Sequence, residues 1–207
     1  MQSTPRTIVH LLPTGVEGTA ALRNGSEVLV RAAQPRDREL VEVFAQGLSR
    51  DALRLRFFTV TRPESVPGEV LTPGTVGDRL SLLIFRQDGP DLHIIGHGEY
   101  VRVGPGSPTA EIAFLVADGY RHLGVATLLL RRLARAARVF GIREFLAEVL
   151  PENPDMIEVF RSSGFDPQLR WSGRTCLVTV SLLGSTGPAP STLGGALVRF
   201  GPGELRA

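Results

Sequence analysis

The chain has 207 residues and 43% hydrophobic content, enough apolar material to bury the core of one domain. Its formal charge is only +2, and all 23 basic residues are arginines scattered along the chain, which excludes a dense basic and aromatic nucleic-acid surface. A single cysteine, Cys176, rules out an internal disulfide and a cysteine metal cluster; with no long apolar run for a membrane span or signal peptide, the reading is soluble and cytoplasmic.

Residues 1–23 mix Thr, Pro, Gly and Ser without periodicity and read as a mobile or loosely packed extension. Residues 24–183 carry the domain. Glu27–Ala32 is a first strand, ended by Gln34-Pro35-Arg36-Asp37, with Asp37 placed to cap a helix that reaches Gly47. Ser49 caps a second short helix through Phe58, and the Pro- and Gly-rich residues 59–77 read as a loop. Strands follow at 80–85 and 92–103, joined by Asp88-Gly89-Pro90, and a further strand at 110–117 after the turn at 104–108.

From 125 to 140 the apolar positions 125, 128, 129, 133, 136, 137 and 140 share one helical face, and Gly141 stops the helix. A strand at 144–150, a helix at 153–163 and at least one strand or a hairpin at 169–182 complete the domain. Residues 184–207 form a Gly-, Pro- and Ser-rich tail whose apolar stretch 193–200 either folds back or stays disordered.

Between the strand at 110–117 and the long helix lies Arg121-His122-Leu123-Gly124-Val125-Ala126. A strand that feeds a small-residue turn opening a helix presents free N–H groups and the positive end of the helix dipole, a suitable bed for a diphosphate. Gly124 and Ala126 keep that bed clear of side chains.

This segment resembles the Arg/Gln-x-x-Gly-x-Gly/Ala coenzyme A signature of the GCN5-related N-acetyltransferases, the GNAT family. The likeness covers roughly residues 27–182. Within the family the chain is similar to bacterial protein-lysine acetyltransferases that modify acyl-CoA synthetases. It shares with them Val30-Arg31 with Pro35-Arg36-Asp37, the segment from Leu48-Ser49 to Phe57-Phe58, Ala110-Glu111-Ile112-Ala113-Phe114, and Glu148-Val149-Leu150-Pro151-Glu152-Asn153. The resemblance implies an α+β, three-layer fold, a mixed and mostly antiparallel sheet flanked by helices, and acetyl-CoA as co-substrate without a metal. It also implies direct attack by an amine in a ternary complex, the acceptor being a protein lysine or, alternatively, a small amine or antibiotic. Neither nucleic acid nor membrane is an expected partner, and relatives are monomers or homodimers. A non-catalytic acyl-CoA-binding module is the reading from another class.

The chemistry sets the requirements. A lysine-like amine with a pKa of about 10.4 is protonated at neutral pH and needs a nearby base before it can attack a thioester. The resemblance implies Glu111 for that base, with Glu99 on the neighbouring strand in reserve. It implies main-chain contacts from Phe114, Leu115 and Val116 to the pantetheine arm, and from Arg121, His122, Leu123, Gly124, Val125, Ala126 and Thr127 to the diphosphate. Asn153 either touches the cofactor or caps its helix. Phe160 occupies the place where many relatives have a tyrosine general acid, leaving Tyr100, Tyr120 and Cys176 as substitutes. His93 and His97, four apart in a presumed strand, should share a face but lack companions for a metal site. Trp171 either packs in the core or lines an acceptor pocket.

Overall fold

The computed structural model describes residues 12–58, 61–74 and 77–183. Among these, eight strands form one sheet: β1 (Gly18–Ala21), β2 (Glu27–Ala32), β3 (Arg79–Asp88), β4 (Asp91–Arg102), β5 (Thr109–Val116), β6 (Glu144–Val149), β7 (Pro167–Ser172) and β8 (Thr175–Ser181). Their spatial order is β1-β2-β3-β4-β5-β6-β8-β7. Every neighbouring pair is antiparallel except β5–β6. The helices are α1 (Arg38–Gln46), α2 (Arg50–Phe57), α3 (Val66–Val70), α4 (Val125–Val139) and α5 (Pro154–Arg161).

Period-2 alternation along the strands builds two cores, one on each face of the sheet. On one face Leu83, Phe85, Ile94 and Leu115 pack against Val41, Phe44 and Leu53 of α1 and α2 and Val66 and Val70 of α3. On the other, Leu82, Ile84, Ile112 and Phe114 pack against the apolar stripe of α4, including Leu129 and Leu133, and against Ile157 and Phe160 of α5. Burying each of these large side chains stabilises the fold by about 1.5–3 kcal/mol, before the entropy of ordering them is counted. The result is the expected three-layer α+β arrangement.

Two glycines set how closely α4 approaches the sheet. A Cβ at Gly96 would lie 2.5 Å from Val125 Cγ1, and one at Gly98 would lie 3.2 Å from Leu129 Cβ. Side chains in these places would push the helix, and the turn that opens it, away from β4. Gly141, at φ 77°, ends the helical run.

Four details differ from the sequence reading. Residues 18–21, placed in the N-terminal extension, form β1 and pair with β2 across the Asn24-Gly25 turn, where Asn24 Oδ1 accepts from the Ser26 N–H at 3.1 Å. Four small residues carry too little alternation to announce a strand. The loop at 59–77 contains α3, a single buried turn with Pro67 near its start. Asp37 does not cap α1 with its side chain. It takes two 2.7 Å bonds from Arg31 and one from the Gln34 N–H instead.

The fourth difference concerns the histidines. The β3–β4 register shifts between Ile84 and Phe85, so that His93 opposes Arg86 while His97 opposes Leu83. That β-bulge turns the two histidines to opposite faces; His97 is buried and His93 exposed. Residues 193–200 of the tail lie outside the described residues.

Candidate active site

The parallel pair β5–β6 holds together only at its start, where Thr109, Ala110 and Glu111 pair with Glu144, Phe145 and Leu146. Beyond Glu111 the strands diverge, leaving residues 112–116 of β5 without ladder partners on that side. A cleft of about 870 Å³ fills the fork. Phe114, Leu115 and Val116 line it from β5, Glu148 from β6, and the first turn of α4 closes its end. An exposed main-chain edge of this kind can hold an extended polar chain as a further strand would.

The turn before α4 has the geometry of an anion bed. Asp118 is fixed by the Ser49 main-chain N–H at 2.9 Å and the Ser49 hydroxyl at 3.0 Å, and Ser49 itself caps α2 through the Ala52 N–H. Arg121 pairs with Asp118 at 2.8 Å. His122 then takes φ 62° and Gly124 φ 89°, left-handed conformations that sharpen the turn into the helix. The non-glycine residue His122 carries backbone strain of about 1 kcal/mol or more there, with its exposed ring 3.5 Å from the Asp155 carboxylate. A side chain at Gly124 would be strained and would meet Arg23 at 3.4 Å. The free N–H groups of α4's first turn, next to Ala126 and the buried Thr127, suit the diphosphate of an acyl-CoA.

Five carboxyl and guanidinium side chains, those of Glu99, Glu111, Glu148, Arg56 and Arg79, line the cleft together. Glu111 opposes Val101 and Glu99 opposes Ala113, so the two glutamates share a face of the sheet. Glu99 is 4% exposed, and its oxygens take a bond from Arg56 at 2.7 Å and one from Arg79 at 2.6 Å. Burial alone would raise its pKa, but the two guanidinium charges outweigh it and hold the carboxyl below the usual range. Glu111 has no such clamp. Burial pushes its carboxyl up, the like charge of Glu148 pushes it further, and Arg56 only partly opposes them. Glu99 is therefore a fixed anion, whereas Glu111 is a carboxylate nearer the point of exchange. Beneath them His97 is held neutral, its pKa lowered by burial to about 4, with Nε2 2.9 Å from the Ser81 hydroxyl.

The remaining sequence candidates separate clearly. Asn153 caps α5 by accepting from the Met156 N–H at 3.2 Å, and it also borders the cleft. Phe160 is fully buried beside Phe114, with ring centroids 6.3 Å apart. Tyr100 and Cys176 lie in the core, where burial raises both pKa values. Tyr120 borders the cleft and accepts from Arg86 at 3.0 Å. Trp171 is neither core nor pocket: it is 60% exposed on the edge strand β7. Arg23, Arg56, Arg79 and Glu148 were not singled out as site residues in the sequence, although Arg56 and Glu148 lie in the family-shared segments, because isolated charges carry no spacing signal and the first three enter from distant segments.

Among the described residues no group of three or more His, Cys, Asp or Glu side chains could hold a metal, and no helix is long and apolar enough to cross a membrane. Residues 52–165, more than half of the chain, match the model of the acetyltransferase (GNAT) family. The chain belongs to this family. It is an acyltransferase, and its fold is one that uses acetyl-CoA or CoA.

Acetyltransferase Pat of Mycolicibacterium smegmatis is 27% identical over 143 residues, which span 69% of this chain and 42% of the relative. The chain thus corresponds to less than half of that protein. The GNAT domain of S. lividans PAT superimposes with a TM-score of 0.71 at 30% identity, over 83% of this chain and 99% of that one. Mycobacterium smegmatis RimJ, solved with CoA-disulfide, shares the fold at a TM-score of 0.58 and 20% identity, over 80% of this chain and 86% of its own.

Proposed function

We propose that this GNAT domain transfers an acetyl group from acetyl-CoA to the side-chain amine of a protein lysine, with Glu111 as general base. The observation that carries the reading is Glu111 at the fork of β5 and β6. It is the last residue paired across the two strands, and it has a raised carboxyl pKa in the cleft that the diverging strands open. Glu111 removes the proton of the incoming ammonium, directly or through a water, so that the amine attacks the thioester carbonyl. Main-chain N–H groups near Phe114 to Val116 meet the negative charge that develops on the carbonyl oxygen. The loop from Arg121 to Thr127 holds the diphosphate, and Asn153 both caps α5 and borders the carrier. Buried Phe160 has no proton to give, so water protonates the departing thiolate, a tolerable leaving group.

Three features favour a lysine-like acceptor. Glu69, Glu111 and Glu148 are among the residues that line the cleft, and their carboxylates attract a cationic side chain. The four segments shared with protein-lysine acetyltransferases add to this, as does the likeness to Pat. The chain contains no lysine, so acetyl label on lysine in a reaction mixture cannot arise from self-modification.

The test is transfer of labelled acetyl from acetyl-CoA to a purified acyl-CoA synthetase, run beside a panel of small amines. Label on synthetase lysines, lost in Glu111→Gln, supports the reading. Turnover with small amines alone moves the acceptor to that class. Acetyl-CoA binding without turnover on either acceptor sinks catalysis in favour of a sensing module.

A further inference from the structure

We propose that Arg23 is a phosphate-binding residue for the acyl carrier, one that also fixes the loop before α4. The proposal rests on the acyl-CoA reading above. Arg23 lies at the tip of the β1–β2 hairpin, outside the 52–165 segment that matches the family. The hairpin nevertheless reaches the phosphate loop, and both parts of Arg23 engage it.

The main-chain N–H of Arg23 donates to the Leu123 carbonyl at 3.1 Å, and its Nη1 donates to the His122 carbonyl at 3.4 Å. A trans peptide is planar, so the carbonyl of one residue and the N–H of the next point in opposite directions. Holding the carbonyls of His122 and Leu123 therefore fixes where the N–H groups of Leu123 and Gly124 point. The aliphatic stem of Arg23 also lies against the Cα of Gly124, with Cγ 3.4 Å from where a Cβ would stand. The missing side chain at Gly124 thus makes room for the arginine as well as for a phosphate.

Charge distribution sharpens the inference. Arg121, the arginine of the signature, is already paired with Asp118 at 2.8 Å. Among the described residues no carboxylate pairs with Arg23, which is exposed and borders the same cleft. Among the described residues, Arg23 is therefore a cation at the loop without a carboxylate partner, permanently charged and with a forked donor set suited to phosphate oxygens. Its ligand is a phosphate group of the carrier, either the diphosphate or the 3′-phosphate.

The test is calorimetric binding of CoA, 3′-dephospho-CoA and pantetheine to wild type, Arg23→Gln and Arg23→Lys. Loss of a charge-assisted bond predicts roughly tenfold weaker CoA binding by Arg23→Gln, with Arg23→Lys within about threefold of wild type. Pantetheine, which has no phosphate, binds all three proteins alike. The loss persists with 3′-dephospho-CoA if Arg23 meets the diphosphate and disappears if it meets the 3′-phosphate.

Equal affinity of wild type and Arg23→Gln for CoA would overturn the proposal. So would an equal loss for CoA and pantetheine, the signature of general damage to the cleft. Should Arg23→Gln melt early, the Arg23→Lys comparison and the salt dependence of wild-type binding decide: affinity for CoA that does not fall with salt contradicts a phosphate contact. A wild-type protein that binds no CoA at all would remove the acyl-carrier reading itself.

Discussion

Glu111 lies diagonally across the β4–β5 ladder from Glu99, on the same face of the sheet, and the two carboxyl groups are displaced in opposite directions. Two arginines hold one as an anion, while burial and Glu148 favour protonation of the other. Sequence position made both candidates for the base. Their surroundings divide them between a structural anchor and a carboxylate able to exchange protons.

If Glu111 is the base, as proposed, it must be deprotonated to act, and its raised pKa moves the acid limb of the kcat/KM profile to higher pH than an unperturbed glutamate would give. Replacing Glu148 by Gln removes a like charge, lowers the pKa of Glu111 and moves that limb to lower pH. A pH–rate profile of Glu148→Gln beside wild type measures the displacement; a limb that stays in place would separate Glu148 from the titration of Glu111.

Glu99→Gln leaves the charges of Arg56 and Arg79 facing each other across a neutral amide. Breaking a buried ion cluster in this way costs about 3 kcal/mol, which lowers the melting temperature of a chain this size by roughly 6–12 °C. The pH dependence has a definite sign. The folded-state pKa of Glu99 lies below its unfolded value, so its contribution is present above the unfolded pKa and is lost as pH falls through the folded one. Thermal melts from neutral to acid pH should bring wild type and variant together at the acid end.

Gly96→Ala places a methyl 2.5 Å from Val125 Cγ1, at the first residue of α4. Overpacking here costs about 1–3 kcal/mol and displaces the start of α4 and the 121–127 loop proposed to hold the phosphates, so CoA affinity is expected to fall with stability. Val125→Ala in the same chain restores room. Melting and CoA binding of the single and double variants should show recovery of both properties, a coupling that independent sites would lack.

Much of the fold was legible because its signals are local. Apolar spacing located α4 to within a residue, Ser49 and Gly141 marked helix boundaries, and Gly89 marked the β3–β4 turn. The family resemblance then supplied the fold class, a mixed and mostly antiparallel sheet flanked by helices, which periodicity alone does not contain. What escaped was either too short or set by pairing across the sheet. The four small residues of β1 carry no pattern of their own; their legible clue was the turn-forming Asn24-Gly25. The bulge that separates His93 from His97 arises from the β3–β4 register, which no window on β4 reveals. Glu111 and the segment from Arg121 to Thr127 were named from the family pattern, whereas the Arg56–Glu99–Arg79 cluster joins three segments and becomes visible only once they are assembled.

The measurement with the greatest reach is steady-state acetyl transfer to a protein lysine by wild type and Glu111→Gln, with CoA affinity determined for both. A base held at the fork of β5 and β6 predicts a fall in kcat of roughly 10²- to 10⁴-fold with CoA binding unchanged, since glutamine keeps the shape but cannot take the proton. Transfer by Glu111→Gln at the wild-type rate would contradict the assignment of Glu111 and leave the amine to be deprotonated by another group.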